Sequence, residues 1–251
     1  MIPLMAVVPR GSDPLLEEAR ELAGRTEGWL SEAEGEALFA LARGCRPPGV
    51  IVEIGSWKGK STTWLAKGSR SGPGLKVCAI DPHRGGSADT GELVAQGTFQ
   101  DFAANMKRAG IDDLVVPYVM TSAEAATQVQ DGVALVFIDG SHEYEDVKLD
   151  VELWSPKVVD GGHLALHDAV NSVWPGVPRA VREVVYESSR FRSLRLVDSM
   201  SICEKADGNG LSQRFQRRWA LLIFDVSNLV VRHHPPRPLL SLGQRIVRRL
   251  H

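Results

Sequence analysis

Two short stretches of this chain end in residues that could act on one chemical group. Phe137-Ile138-Asp139-Gly140-Ser141-His142 runs from apolar residues into an acid and, three positions on, an imidazole. Leu164-Ala165-Leu166-His167-Asp168 closes in the same way. In an open parallel sheet, ligands bind in the crevice at the carboxyl ends of the strands, and adjacent strands lie about 4.8 Å apart. If these stretches are neighbouring strands, Asp139 and Asp168 can converge on one cation, with His167 as a third ligand. Two hard carboxylates and one imidazole suit Mg2+ or Mn2+, with water and substrate oxygens completing the shell. A cation there lowers the pKa of a bound hydroxyl as it does that of bound water. His142, at the start of the next helix, is placed to act as general base near neutral pH. Each residue alone also has an ordinary reading: a histidine at a strand end can be a surface or capping residue, and Asp168 can cap Ala169–Ser172. Four such residues on two strand ends favour a site, because titratable groups cluster at functional positions.

A second stretch, Val50-Ile51-Val52-Glu53-Ile54-Gly55-Ser56-Trp57-Lys58-Gly59-Lys60-Ser61, reads as strand, glycine turn and helix start. Glycines there allow positive φ and close approach of a ligand to backbone. A phosphate-binding P-loop is one reading, but three residues separate Gly55 from Gly59-Lys60-Ser61 where that motif needs four. A cradle for S-adenosylmethionine (SAM) is the other. SAM has no phosphate and calls for an acid near its amino group and a carboxylate on its ribose. Glu53 beside the loop and Asp81 at the next strand end stand where those are needed, the second being a general ribose-gripping device of doubly wound folds. The bland alternative is a tight turn with Glu53 at the surface.

The elements that must position these residues alternate along the chain. Apolar runs at Val50–Ile54, Val77–Ile80, Val115–Met120, Ala134–Ile138 and His163–Leu166 are separated by helical sequence over Lys60–Lys67, Glu92–Arg108, Ser122–Val129 and Tyr144–Trp154. That alternation predicts an α/β fold, a mostly parallel sheet with helices on both faces. A helix over Arg179–Glu187 and two strand-like segments, Leu194–Val197 and Ser201–Glu204, would close a seven-stranded sheet with an antiparallel last strand. Residues 1–45 contribute two leading helices, with Ser31 and Glu34 forming a capping box. Residues 46–206 form the main domain, and 207–251 a basic extension. Asp89–Gln100 and Ala169–Pro178 are candidate lids, and Trp174 is either an acceptor-pocket wall or loop packing.

Bulk properties narrow the class. The chain has 251 residues, 43% hydrophobic and 24% charged, with a net charge of −2. This is an ordinary globular composition with no electrostatic case for nucleic acid. Cys45, Cys78 and Cys203 form no paired framework and read as reduced thiols of a cytoplasmic protein. No stretch is long enough for a membrane span, and no basic lead precedes the apolar start, so no signal peptide is expected. Beyond the Asp207-Gly208-Asn209-Gly210 linker, eight arginines accompany a single acid, Asp225. An oligomerisation arm, attachment to anionic lipid and a solvated tail all fit. We favour a helix that packs on a neighbouring subunit or on the domain, because the arginines lie mainly outside the apolar run Trp219–Val231.

VEIGSWKGKST (52–62), AIDPH (79–83), FIDGSHEYEDV (137–147) and GGHLALHD (161–168) together resemble the class I SAM-dependent methyltransferases. They are most similar to the group with macrocin-type and rhamnosyl O-methyltransferases and cephalosporin-hydroxylase-associated proteins. The likeness covers roughly residues 30–206. It implies a Rossmann-like fold and Mg2+-dependent methylation of a hydroxyl on a sugar or other natural product. It further implies metal ligands Asp139, His167 and Asp168 and a base at His142. His167 departs from the pattern, since sugar-modifying members carry Glu there. For the cofactor, the likeness implies Glu53, Gly55 and Ser61 around the methionine part, Asp81 on the ribose and Ser122 near the adenine. Ser56 in the glycine turn and Asp139 complete the cofactor set. The competing readings are a metal-independent methyltransferase of the same fold, a nucleotide-binding P-loop protein, and a SAM-binding module without catalysis. A homo-oligomer is expected.

Overall fold

The computed structural model describes residues 13–84, 97–130, 132–206 and 210–233. Two helices lead, α1 (Pro14–Gly24) and α2 (Glu32–Gly44). Asp13 caps the first through Leu15 N, and the Ser31–Glu34 capping box starts the second. Strands and helices then alternate: β1 (Val50–Ile54), α3 (Lys60–Ser71), β2 (Val77–Ile80), α4 (Phe99–Arg108), β3 (Val115–Tyr118), α5 (Ser122–Gln128), β4 (Val133–Ile138), α6 (Tyr144–Trp154) and β5 (Val158–Leu166). After β5 come α7 (Gly176–Val181), a π-helical turn (Arg182–Tyr186), β6 (Phe191–Val197), β7 (Met200–Lys205) and a long α8 (Leu211–Arg232).

The seven strands form one sheet in the order β3-β2-β1-β4-β5-β7-β6. The first five are parallel, and β7 runs antiparallel to both β5 and β6. This is the Rossmann-like arrangement read from the sequence. The direction of winding reverses between β1 and β4, which makes their carboxyl ends the ligand crevice.

The apolar runs form strands because both faces of the sheet are covered. Val52, Ile54, Val136, Ile138, Leu164 and Leu166 pack on one side with Trp154, Tyr186 and Phe224. Ile51, Leu135, Phe137 and Ala165 pack on the other with Phe39, Trp64 and Phe102. The leading helices belong to this second layer. A side chain at Gly35 of α2 would start 2.2 Å from the Trp64 ring, and one at Gly68 of α3 would start 2.3 Å from the Phe39 carbonyl oxygen. Glycine at these two points lets α2 and α3 touch backbone to side chain.

The last helix is longer than the apolar run Trp219–Val231 on which the sequence reading centred it. It lies on the domain through Phe224, whose ring sits 4.3 Å from that of Tyr186, and through Asn228, whose Nδ2 donates to the Ala169 carbonyl at 3.2 Å. Asp225 pairs with Arg182 at 3.1 Å. The N-terminal arm, most of the Asp89–Gln100 lid, the first part of the Glu92–Arg108 helix, Asp207-Gly208-Asn209 and the arginines beyond position 233 lie outside the described residues. Among the described residues, no helix is long and apolar enough to cross a membrane.

Candidate active site

Strand register lines up the chemistry. Ile80, Ile54, Ile138 and Leu166 are paired across β2, β1, β4 and β5. The next residue of each strand is therefore Asp81, Gly55, Asp139 and His167, one row along the crevice. The ladder continues into the row: Gly55 N donates to Ile80 O at 2.9 Å, Asp139 N to Ile54 O at 2.8 Å, and His167 N to Ile138 O at 3.0 Å. Gly55 has φ +86°, and a Cβ there would meet the Asp139 carbonyl oxygen at 2.0 Å. Only glycine admits both the left-handed backbone and that contact.

At one end of the row, Asp139, His142 and Asp168 offer three ligand atoms within 4.8 Å of one another. His142 Nε2 lies 3.2 Å from Asp168 Oδ2. The His142 ring stacks on Trp174, with centroids 5.0 Å apart and planes 16° from parallel. Asn171 organises the loop that carries this tryptophan. Its Nδ2 donates to Asp168 Oδ1 at 2.8 Å, and its Oδ1 accepts from Val173 N and Trp174 N. A Cβ at Gly176 would stand 2.8 Å from the His142 carbonyl oxygen, so this loop is pressed against the His142 turn. Burial works against a charge on Asp168, but His142, His167 and Asn171 hold its carboxyl well below the ordinary range. Asp168 itself sits at φ 55°, a strained setting for a non-glycine residue.

His167, expected as the third ligand, lies between the two aspartates and α2. Its Nε2 lies 3.3 Å from Glu34 Oε2 of α2, and its Nδ1 lies 3.1 Å from Asp139 Oδ1 and 3.4 Å from Asp168 Oδ2. The Nδ1 contacts are close in charge but poorly aligned, leaving that nitrogen without a well-formed hydrogen bond. Burial disfavours an imidazolium here, yet Asp139, Asp168 and Glu34 outweigh it and raise the pKa far above the usual histidine value. The three atoms within reach of one ion come from Asp139, His142 and Asp168, with His167 Nδ1 beside the two aspartates. Glu34 is itself fixed: it accepts from Ser31 N, Ser199 N and Ser199 Oγ. Burial notwithstanding, His167 and these donors keep it ionised, with its pKa lowered.

The other end of the row fits a cofactor with positive charge. Glu53 is wholly buried. Its Oε2 accepts from Thr62 Oγ1 at 2.5 Å, while its Oε1 and the buried Ser56 Oγ have no partner. Buried polar atoms are nearly always paired, so these two await a ligand. Burial pushes the Glu53 carboxyl up to about 8, and nearby Asp139 and Asp81 add to the effect, against the hydrogen bonds from Ser61 and Thr62. Three carboxyls thus crowd round the glycine turn, an environment that attracts an ammonium or sulfonium group. Asp81 receives Trp57 N at 2.8 Å and His83 N at 2.7 Å, one on each oxygen. Lone pairs remain on both oxygens for ribose hydroxyls. Ser122 sits at the start of α5 with its Oγ accepting the Trp154 indole N–H at 2.8 Å. Burial raises the nearby Asp150 carboxyl to about 6, with the Ser122 hydroxyl opposing the shift.

Residues 52–169 match a family described as a methyltransferase domain. That segment is similar to the methyltransferase-domain family, and the seven-stranded fold is shared with the solved structures that follow. The matched segment runs from the residue before Glu53 to the residue after Asp168, so it contains both ends of the row. A protein from Corynebacterium glutamicum is 18% identical, with 80% of this chain and 94% of that one covered and a TM-score of 0.59. An O-methyltransferase from Bacillus cereus, solved with S-adenosylhomocysteine (SAH), is 20% identical, with 79% and 94% covered and a TM-score of 0.55. The O-methyltransferase TomG from Streptomyces achromogenes, involved in tomaymycin synthesis and solved with SAM, is 18% identical, with 79% and 92% covered and a TM-score of 0.53. An uncharacterized protein of Acanthamoeba polyphaga mimivirus, R132, is 28% identical over 140 residues, which span 53% of this chain and 58% of that protein.

Three residues of the candidate site were not singled out for it by their sequence context. Thr62 lies one residue past the serine singled out for the cofactor. Asn171 is in a loop treated as a lid. Glu34 was legible as a helix cap, but its contact with His167 spans 133 positions.

Proposed function

We propose that this methyltransferase uses SAM to methylate a hydroxyl of a small molecule, a sugar or other natural product, in the cytoplasm, with Mg2+ or Mn2+ at Asp139 and Asp168. The observation that carries the reading is the convergence of Asp139, His142 and Asp168 on one point, a single row away from the unpaired Glu53 and Ser56 oxygens. Solved neighbours that hold SAM or SAH support the cofactor. When bound, the cation would polarise the acceptor hydroxyl, and SAM would supply the methyl group and leave as SAH.

The chain's own residues would divide the work as follows. Glu53 and Ser56 accept from the cofactor's amino group, and Asp81 grips its ribose. Asp139 and Asp168 hold the cation, with His167 fixing their spacing. His142, whose Nε2 faces Asp168, takes the hydroxyl proton on Nδ1, the ring nitrogen that keeps its lone pair in that tautomer. Trp174 keeps the imidazole plane in place and shields the acceptor from water.

Metal-independent transfer is favoured by a different observation: His167 Nδ1 lies beside both aspartates, where a protonated ring would offset part of their charge without an ion. Calorimetric titration with SAH, followed by acceptor assays with EDTA and with added Mg2+ or Mn2+, separates the two. We expect SAH binding and turnover that EDTA abolishes and the ion restores. Turnover indifferent to EDTA would remove the metal, and absence of SAH binding would remove the enzyme.

A further inference from the structure

The last helix has two apolar faces, and the domain uses one of them. Phe224 and Asn228 are buried against the domain. On the opposite side Leu211, Phe215, Trp219, Leu222, Val226 and Leu229 are all exposed, Leu211 by 84% and Phe215 by 72%. Their spacing of four, four, three, four and three residues keeps them on one stripe along the 22-residue helix. Isolated exposed apolar residues are unremarkable, but a continuous stripe of six marks a contact surface.

Charge identifies what covers it. From Leu211 to the end of the chain there are eight arginines and no lysine, and the one acid, Asp225, is already paired with Arg182. On the helix, Arg214, Arg218 and Arg232 fall along one edge of the stripe at 100° per residue. A second copy docked face to face would bring two such arginine sets together. An anionic lipid surface satisfies both features: apolar side chains enter the acyl boundary while arginines meet phosphates. The aromatic members, Phe215 and Trp219, suit that boundary. The helix is also correctly oriented, since its other face is fixed to the protein and the stripe points away from it.

We propose that α8 is an interfacial helix that docks this methyltransferase on an anionic membrane surface. The test uses the full chain and sedimentation with vesicles of phosphatidylcholine alone or of phosphatidylcholine and phosphatidylglycerol in equal parts. Binding should appear only with the anionic vesicles, weaken as salt rises, and shift Trp219 fluorescence to the blue. Leu222→Glu with Val226→Glu should lower the partition coefficient by about tenfold or more, while Leu149→Glu, the same change at an exposed leucine of α6, leaves it unaltered. Circular dichroism and SAH binding report that the variants fold. No binding to either vesicle, or anionic binding that the double variant retains, would overturn the proposal. A solution dimer dissolved by the double variant, without vesicle binding, would assign the stripe to a second copy instead.

Discussion

The His142 imidazole lies flat on the Trp174 indole, 5.0 Å between centroids, with its Nε2 turned to Asp168 at 3.2 Å. One contact fixes the plane of the ring and the other its tautomer. If His142 is the proposed general base, it should be costly to remove and sensitive to its stacking partner. His142→Ala should lower kcat/KM by about 10²–10⁴-fold and leave SAH affinity unchanged. Trp174→Ala should cost less, with Trp174→Phe restoring most of the loss. Steady-state kinetics with calorimetry of SAH binding checks all three.

Gly55 stands between the Glu53 turn and the Asp139 turn. Gly55→Ala places a methyl group 2.0 Å from the Asp139 carbonyl and demands φ +86° of a residue with a Cβ. Stability should fall by about 3 kcal/mol, and SAH binding should weaken with it. Urea unfolding gives the first quantity and calorimetry the second.

Glu53 makes the apo protein sensitive to alkali. Its carboxyl is raised from an ordinary 4.5 to about 8, chiefly by burial. Between those values the unfolded chain has released a proton that the folded chain keeps, so stability falls as pH rises, by at most about 1.4 kcal/mol per pH unit. Below the lower value the effect is absent, and above the upper one it is complete. Urea midpoints across this window should decline, and Glu53→Gln should flatten the decline. The cofactor's ammonium favours the ionised carboxylate, so SAM binding near pH 7 should release a proton, detectable by calorimetry in buffers of different ionisation enthalpy.

Glu34 ties α2 to the site. Glu34→Ala removes the capping-box partner of Ser31, the acceptor for Ser199 and the contact with His167 Nε2. Losing the cap and leaving buried donors unpaired should cost about 1–3 kcal/mol. Glu34→Gln, whose one amide oxygen can still accept from Ser31 N or from Ser199 N, should lose less. Denaturant unfolding orders the three proteins.

Strands were the most legible part of the sequence, because burial on both faces writes them as continuous apolar runs. Val50–Ile54 and Val77–Ile80 have the bounds that their composition implies. β5 begins five residues earlier than His163, since Asp160-Gly161-Gly162 interrupts its apolar pattern at an exposed stretch. Arg179–Glu187 was read as one helix and divides into α7 and a π-helical turn, a distinction of one hydrogen-bond step that side-chain periodicity does not encode. At the site, Asp139 and Asp168 were legible because strand ends announce themselves. The contact of His167 with Glu34 was not, for it brings in an acid from another layer of the fold.

Asn228 of α8 holds the carbonyl of Ala169, the residue directly after Asp168. The helix lies wholly outside the segment matched to the methyltransferase domain. The loop that follows Asp168 is therefore moored to a helix outside that segment, and any edit to α8 is an edit to the footing of Asp168.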